Sequence, residues 1–381
     1  MRLVKSGLCL CAVILSAAGC CNPECCGNAL EHPREQILFE RGYLGVDTYR
    51  IPTMVVTKKG TILVFAEERN SGPADIGDND LVMRRSPDGG RTWSDVTTIL
   101  DPGADSFNNP TPVVLEDGRI LMMFLITSGE KGSYVKTAYT IYSDDDGLTW
   151  SEPSDVTDQV NIPGNRYFAI GPVHAIQLKY GEHKGRIVMP CYRKLYDESD
   201  STAVSGHAYL IYSDDGGQSW KVGQNTTLGN ECTVAELSDG EIMVNSREFS
   251  NYIDGPVCKR IIAFSKDGGE TLSDAVYDDN LWEPVCQGSL LNYYPKGKDR
   301  DWLLFSNPAT WASRCCVKVQ LSKDRGKTWK PVFQEPYAKG GYSDLAYLPD
   351  GSVAIVYEAG EHKYYDRIVF DIIPARRLMA R

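Results

Sequence analysis

The feature that most constrains the fold is a short motif that occurs five times along the chain, with the consensus Ser-x-Asp-x-Gly-x-Thr-Trp. The five copies are Ser86–Trp93, Ser143–Trp150, Ser213–Trp220, Ser265–Leu272 and Ser322–Trp329. Their first residues are 57, 70, 52 and 57 positions apart. The central Asp and Gly favour a tight turn, and a short apolar, β-rich run precedes each copy. A regular array of this kind indicates a fold built from similar units.

Each unit is predicted to consist of several short strands. Further strand–turn–strand patterns lie between the motifs, for example over residues 55–65, 113–124, 234–244 and 346–357, and no long stretch has the apolar period of a helix. Roughly 350 residues divided into units of about 57 predict an all-β, six-bladed β-propeller. An array of β-sandwiches is the alternative, although it would not need such regular turns.

The N-terminus has the pattern of an export signal. Arg2 and Lys5 precede an uncharged apolar stretch that ends in small residues at Gly19, so residues 1–19 are predicted to be a signal peptide rather than a membrane anchor. Cys20 follows at once, which resembles a lipoprotein cleavage site with a lipidated cysteine. We therefore expect a tether over 20–33, one catalytic propeller over 34–381, and a protein that is periplasmic, attached to the cell surface or secreted.

The charge balance excludes a general binder of polyanions. Acidic residues outnumber Lys and Arg by 51 to 40, for a formal net charge of −11. A protein that binds nucleic acid or an anionic membrane needs a basic field. We expect no nucleic-acid partner, and any anion site in this chain has to be local.

The repeated motif resembles the Asp-box (BNR) repeats of bacterial-type exo-α-sialidases, and the sequence around the first copy extends the resemblance. Arg50 lies in an Arg-Ile-Pro segment like the one whose arginine holds the substrate carboxylate in that family. The resemblance places Arg69 in the sugar pocket and Asp75 at the general acid/base. Asp78 and Asp80 are alternatives for that role, and a calcium site in this acidic loop is another interpretation.

The remaining family positions follow in family order. Glu231 and Arg247 are 16 residues apart, Arg314 follows a Phe-Ser-Asn-Pro segment, and Tyr342 opens a Tyr-Ser-Asp-Leu segment. The resemblance implies that Arg247 and Arg314 complete an arginine triad, and that Glu358 orients Arg50. Two further assignments are that Asn109 lies near the N-acyl group, with a plain loop residue as the alternative, and that Tyr342 is the nucleophile.

The chemistry of these residue types supports the resemblance. Two or three arginines can hold a carboxylate with charge-assisted hydrogen bonds, and a sialic acid carries its carboxylate on the anomeric carbon. A neutral tyrosine avoids the repulsion that an acidic nucleophile would meet there, as sialidases illustrate among glycosidases. A phenol with a pKa near 10 needs a base, which Glu231 would supply, while Asp75 would protonate the leaving oxygen.

The resemblance therefore implies a retaining exo-α-sialidase, monomeric and without a cofactor or metal, that acts on terminal sialic acids of glycans, glycoproteins or glycolipids. One alternative is a sialic-acid-binding propeller without turnover, which would not need Tyr342, Glu231 and Asp75 together. Another is a trans-sialidase or an anhydro-forming sialidase, which depends on aromatic residues such as Trp311 or Tyr252 around the leaving group.

Overall fold

The computed structural model describes residues 35–130, 133–196, 203–249, 257–295 and 301–380. The predicted signal peptide, the tether with Cys20, and Tyr252 lie outside the described residues. The regular secondary structure of the described part consists almost entirely of strands, which confirms the all-β class. Its helical segments are a 3-10 turn (Tyr43–Gly45), α1 (Thr157–Val160) and α2 (Ala375–Leu378). No helix in these ranges is long and apolar enough to span a membrane.

The first strand, β1 (Gln36–Glu40), pairs with the end of the chain and is described with the last sheet. The strands after it form one eight-stranded sheet in the order β2-β3-β4-β6-β7-β8-β9, with β5 paired to β4. These strands are β2 (Thr48–Val56), β3 (Ile62–Arg69), β4 (Asn79–Ser86), β5 (Thr97–Leu100), β6 (Ser106–Val114), β7 (Ile120–Ser128), β8 (Val135–Ser143) and β9 (Ser154–Asp155).

The middle of the chain forms a six-stranded sheet, in which β10, β12, β13 and β14 are consecutive neighbours, β11 pairs with β12 and β15 pairs with β13. Its strands are β10 (Phe168–Ile170), β11 (Ile176–Gln177), β12 (Ile187–Tyr196), β13 (Ala203–Ser213), β14 (Lys221–Val222) and β15 (Thr227–Leu228).

Three four-stranded sheets complete the fold. Two are meanders: β16 (Cys232–Glu236), β17 (Ile242–Ser246), β18 (Lys259–Ser265) and β19 (Val276–Trp282), then β20 (Ser289–Tyr293), β21 (Trp302–Pro308), β22 (Val317–Ser322) and β23 (Lys330–Gln334). The last contains β24 (Lys339–Tyr347), β25 (Val353–Gly360) and β26 (Arg367–Ile373), with β1 added at its edge beside β26.

The prediction of a six-bladed propeller is wrong, because the described strands form five hydrogen-bonded sheets instead of six. The physical reason lies at the end of β4. There Asn79 pairs in parallel with Ser106 at the start of β6, and this pairing joins two repeat units into the eight-stranded sheet. The arrangement remains propeller-like, since three of the five sheets are four-stranded antiparallel units.

The repeated motif is a turn that its own side chains stabilise. In the first copy, the Gly90 N–H donates to Ser86 Oγ at 2.8 Å, and the Thr92 N–H donates to Asp88 Oδ1 at 2.9 Å. The terminal Trp93 then packs edge-on against Phe370 of β26, with ring centroids 4.9 Å apart. The motif therefore has a structural role: it closes a turn and packs one sheet against the next.

The core that positions the site lies between neighbouring sheets. Met54 and Val64 of the eight-stranded sheet share one buried apolar cluster with Val356 and Phe370 of the last sheet. The strand β2 contacts both β24 and β6, and β20 contacts both β16 and β24. These contacts bring strands that are remote in sequence to a common centre, where the candidate site lies.

Candidate active site

Irregular backbone marks three of the strands at this centre. The strand registers shift between Arg50 and Thr53 in β2, between Asn108 and Thr111 in β6, and between Gly340 and Ser343 in β24. Such β-bulges redirect a side chain and are frequent beside active sites. At Ile51 the bulge has φ 56°, a left-handed value that is rare for a β-branched residue. Each bulge lies next to a residue that the sequence assigns to the site.

Arg50 and Glu358 form a buried, bidentate ion pair. Arg50 Nε donates to Glu358 Oε1 at 3.0 Å and Arg50 Nη2 donates to Oε2 at 3.3 Å. The backbone N–H groups of Ile51 and Tyr342 donate to the same two oxygens, at 3.0 and 3.1 Å. Burial disfavours the Arg50 charge, but the field of Glu358 outweighs it and raises the pKa of Arg50. The pair also holds the bulged backbone beside Tyr342.

Tyr342 lies in a hydrogen-bonded triangle with Glu231 and Arg247. Its hydroxyl donates to Glu231 Oε1 at 2.5 Å, and Arg247 Nη1 donates to Glu231 Oε2 at 2.5 Å and to the tyrosine oxygen at 3.2 Å. Tyr342 is 6% exposed. Burial, followed by the charge of Glu231, raises its pKa well above the ordinary value. The phenol is therefore protonated at neutral pH and already bonded to a base.

Arg314 completes a cluster of three guanidinium groups around the tyrosine. The Cζ atoms of Arg50 and Arg314 each lie 5.4 Å from the centroid of the Tyr342 ring. Arg314 Nη2 donates to the carbonyl oxygen of Val285 at 3.0 Å. Arg247 Nε is buried and has no hydrogen-bond partner among the described residues. An unpaired buried donor beside two other arginines fits a site built to receive an anion.

Asp75 contacts the cluster from an exposed loop. Its Oδ1 lies 2.9 Å from Arg69 Nη1 and 3.8 Å from Arg50 Nη1, and its side chain is 78% exposed. Partial desolvation works against its charge, but Arg69 and then Arg50 outweigh that effect and lower the pKa of Asp75. Arg69 is itself buried and paired with Glu67, whose Oε2 accepts from Arg69 Nε at 2.9 Å.

The two aspartates considered as alternatives to Asp75 hydrogen-bond to Asn70 instead of to the arginines. Asp78 Oδ1 and Asp80 Oδ2 accept from Asn70 Nδ2 at 3.4 and 3.1 Å. Burial, with Asp101 adding to it, raises the pKa of Asp80 to about 6. Within the described ranges, no three His, Cys, Asp or Glu side chains are grouped so that they could hold a metal ion.

Asn109 lies at the β6 bulge with φ 60°. Its backbone N–H donates to Glu67 Oε1 at 2.8 Å, and its side-chain Nδ2 donates to the Ile170 carbonyl oxygen at 2.8 Å. The side-chain amide nitrogen of Asn109 therefore already has a hydrogen-bond acceptor within the protein. The structure brings Asn109 beside the residue that holds Arg69, and the assignment to an N-acyl group stays a prediction.

Several residues at the centre of the fold were not predicted from the sequence. Tyr364 covers two of the arginines, with its ring centroid 5.2 Å from Arg50 Cζ and 4.9 Å from Arg314 Cζ. Glu67 binds Arg69 and the Asn109 backbone, and Lys136 and Lys194 lie over the Tyr167 ring. A proline follows the bulge residue in two of the three bulged strands, at Pro52 and Pro110, and this signal could have located those two bulges.

The site is a cluster of three arginines around a buried tyrosine on a propeller-like scaffold, and comparison with known proteins gives the family of the chain. A model of the BNR repeat-like domain family matches residues 60–355. A sialidase of Micromonospora viridifaciens is 33% identical over 86% of this chain, and a sialidase of Bacteroides fragilis is 30% identical over 87%. The chain belongs to the bacterial-type sialidase family with BNR repeats.

The chain is shorter than these relatives. It spans about half of the Micromonospora protein (52%) and 64% of the Bacteroides protein. Among solved structures, a Hadza microbial sialidase has a TM-score of 0.77 and 26% identity, over 90% of this chain and 68% of that chain. An intramolecular trans-sialidase of Ruminococcus gnavus has a TM-score of 0.72 and 17% identity, over 93% of this chain and 100% of that chain. At that identity the similarity supports only the fold.

Proposed function

We propose that this protein is an exo-α-sialidase that removes terminal sialic acids from glycans with retention of configuration, through a covalent intermediate on Tyr342. The observation that carries the proposal is the 2.5 Å hydrogen bond from the Tyr342 hydroxyl to Glu231 within the cluster of three arginines. The relatives named sialidases support the reaction class. We also propose that residues 1–19 direct export of the protein and that the protein is a monomer. A lipid attached to Cys20 would anchor the exported protein to a membrane.

The arginine cluster would bind the carboxylate of the sialic acid. Arg50 is held by Glu358 through Nε and Nη2, and Arg314 by Val285 through one Nη2 hydrogen bond. The other guanidinium nitrogens, with the unpaired Nε of Arg247, supply donors for two carboxylate oxygens. Binding there sets the anomeric carbon beside the Tyr342 hydroxyl, because the carboxylate is bonded to that carbon.

The first chemical step would form the tyrosyl intermediate. The Tyr342 oxygen attacks the anomeric carbon and passes its proton to Glu231, while the protonated carboxyl of Asp75 gives its proton to the glycosidic oxygen, which departs with the bonding electrons. A neutral phenol suits this step because it adds no negative charge beside the substrate carboxylate. The bond from carbon to the leaving oxygen is replaced by a bond to the tyrosine.

The second step would reverse these roles. Asp75, now a carboxylate, accepts a proton from water as the water oxygen attacks the anomeric carbon. The carbon–tyrosine bond breaks, and Glu231 returns its proton to the phenolate. Two inversions give net retention, and Arg247 stabilises the tyrosine oxygen in both steps because it donates to that oxygen at 3.2 Å.

The lowered pKa of Asp75 in the free protein leads to a prediction about pH. A substrate carboxylate at Arg50 neutralises one of the two arginines that lower this pKa and adds a like charge, so the pKa rises in the complex. The rate follows the protonated form and falls as pH rises past that pKa. We expect the alkaline midpoint of kcat to lie roughly one pH unit above that of kcat/KM. Coincident midpoints in profiles measured with a sialyl-oligosaccharide would contradict the assignment.

Asp75→Asn tests the general acid through the leaving group. With sialyllactose, whose leaving alkoxide needs a proton, kcat/KM is expected to fall by about 10²- to 10⁴-fold. With a 4-methylumbelliferyl sialoside, whose leaving group is acidic, the loss is expected to be roughly tenfold or less. The matched control is Asp78→Asn, since Asp78 bonds Asn70 outside the site. Equal losses on both substrates would reject Asp75 as the acid.

Transfer or anhydro formation is a second candidate outcome, favoured by one observation. Trp311 lies three residues before Arg314 and is 65% exposed, so its ring is available to cover a leaving group. Chromatography of the sialyllactose products separates free sialic acid, an anhydro sugar and a transfer product. The proposal of hydrolysis fails if free sialic acid is not the main product, and the whole assignment fails if no sialoside is cleaved at mildly acidic to neutral pH.

A further inference from the structure

Two lysines from different sheets converge on one aromatic ring beside the catalytic carboxylates. Lys136 belongs to β8, Lys194 to β12, and Tyr167 directly precedes β10. The Nζ atoms of Lys136 and Lys194 lie 5.0 and 4.0 Å from the centroid of the Tyr167 ring. We call these three residues the lysine wall. None of them belongs to the site predicted from the sequence.

Neither lysine of the lysine wall has an ion-pair partner in the part of the chain that the structure describes. No carboxylate of the described residues lies within ion-pair distance of either Nζ, and Lys136 Nζ donates to the Thr127 hydroxyl at 3.1 Å. Burial, opposed by the charges of Asp75 and Glu67 and assisted by that of Lys194, lowers the pKa of Lys136 to about 8. Burial and then Arg247 lower the pKa of Lys194. Two ammonium groups kept together without counter-ions are costly for a fold, which favours a role in binding.

The position of the lysine wall relates it to the substrate. Asp75 acts electrostatically on both lysines, and Glu231 acts on Lys194. A chain of hydrogen bonds also runs from Lys136 Nζ through the side chains of Thr127 and Asn108 to the carbonyl oxygen of Asp75, so the wall adjoins the acid of the proposed reaction. The arginine cluster already accounts for one carboxylate, and the hydroxyl groups of a sugar need no pair of cations.

We infer that the lysine wall binds a second negatively charged group of the sialoside, a carboxylate or a sulfate, in addition to the carboxylate held by the arginines. The inference rests on the proposed function and specifies its substrate class. That group has two sources: the carboxylate of a neighbouring sialic acid in the leaving part, or a sulfate ester on the sialic acid itself. In both cases the ammonium groups donate to anionic oxygens over the face of Tyr167.

The test compares kcat/KM for three substrates: α2,3-sialyllactose, an α2,8-linked disialyllactose, and sialyllactose sulfated on the glycerol side chain of its sialic acid. The wild type is expected to prefer one of the two dianionic substrates. Lys136→Met and Lys194→Met are each expected to reduce that preference about tenfold, because each removes one charged hydrogen bond. The Lys194→Arg variant is expected to keep the preference for the dianionic substrate, because it retains the positive charge. The matched control is Lys221→Met, whose lysine lies over Tyr212 and is 65% exposed.

The preference also has a pH and salt signature. The groups that act on Lys136 are Asp75, Glu67 and Lys194, with the Tyr167 ring beneath it. The preference is expected to weaken as pH rises through about 8, where Lys136 loses its proton, and to weaken with added salt. A structural role would not produce this selective change.

Three results would overturn the inference: no preference for either dianionic substrate, a preference that the Met variants leave unchanged, or losses that are equal for all three substrates. Failure of the proposed function is distinguishable. If the wild type cleaves none of the three, the sialidase assignment fails, and titration calorimetry with disialyllactose and sialyllactose, on wild type and Lys194→Met, decides the lysine wall separately.

Discussion

Tyr342→Phe is expected to lower kcat for a fluorogenic α-sialoside by on the order of 10³-fold or more. The substitution removes only the hydroxyl oxygen, which donates to Glu231 at 2.5 Å and accepts from Arg247 at 3.2 Å. The ring between the arginines remains, so the arginine cluster stays formed. Substrate or inhibitor binding, measured by titration calorimetry, is therefore expected to change far less than turnover.

The matched control for Tyr342→Phe is Tyr293→Phe. Tyr293 is also buried, and its hydroxyl donates to the Gly351 carbonyl oxygen at 3.0 Å, away from the arginine cluster. Its loss is expected to cost about 1 kcal/mol of stability and to leave kcat within roughly twofold. If Tyr342→Phe releases the fluorophore as fast as Tyr293→Phe does, a tyrosyl intermediate is ruled out.

Glu358→Ala is expected to lower the free energy of unfolding by about 3–5 kcal/mol, the cost of leaving one partner of a buried ion pair without the other. Glu358 is fully buried and accepts from Arg50 and from the backbone N–H groups of Ile51 and Tyr342. Its removal leaves the Arg50 charge and two backbone donors without this acceptor. Denaturant unfolding followed by tryptophan fluorescence measures the change.

The control for Glu358→Ala is Glu40→Ala. Glu40 is 3.8 Å from Arg367, and both side chains are partly exposed, 55% and 24%. An exposed pair of this kind contributes little, so a change below about 1 kcal/mol is expected. Comparable small losses in both variants would show that the buried pair does not stabilise the bulged strand.

The sequence could predict candidate site residues because each lies in a short local pattern and the patterns occur in family order. Arg50 in Arg-Ile-Pro and Tyr342 in Tyr-Ser-Asp-Leu need no knowledge of pairing between distant strands. The structure brings Arg50, Arg247 and Arg314 around Tyr342. Their catalytic roles await the experiments above.

What the sequence could not show depends on contacts between distant segments. The number of sheets depends on one parallel pairing, Asn79 with Ser106, which no periodicity encodes. The lysine wall joins Lys136 and Lys194, which are 58 positions apart and lie in strands of different sheets. Neither lysine lies in a recognisable motif, so only the folded chain brings them together.

The Arg50–Glu358 pair joins residues that are 308 positions apart, which has a consequence for how the protein is made. During synthesis, a chain that has reached only 340 residues already carries all three arginines, Glu231 and Asp75, but lacks both Tyr342 and the counter-ion of Arg50. Contacts of such high sequence separation form late and slowly. On the proposed function, we therefore expect the nascent protein to be inactive until the final sheet docks, and recovery of sialidase activity after dilution from denaturant would report that docking step.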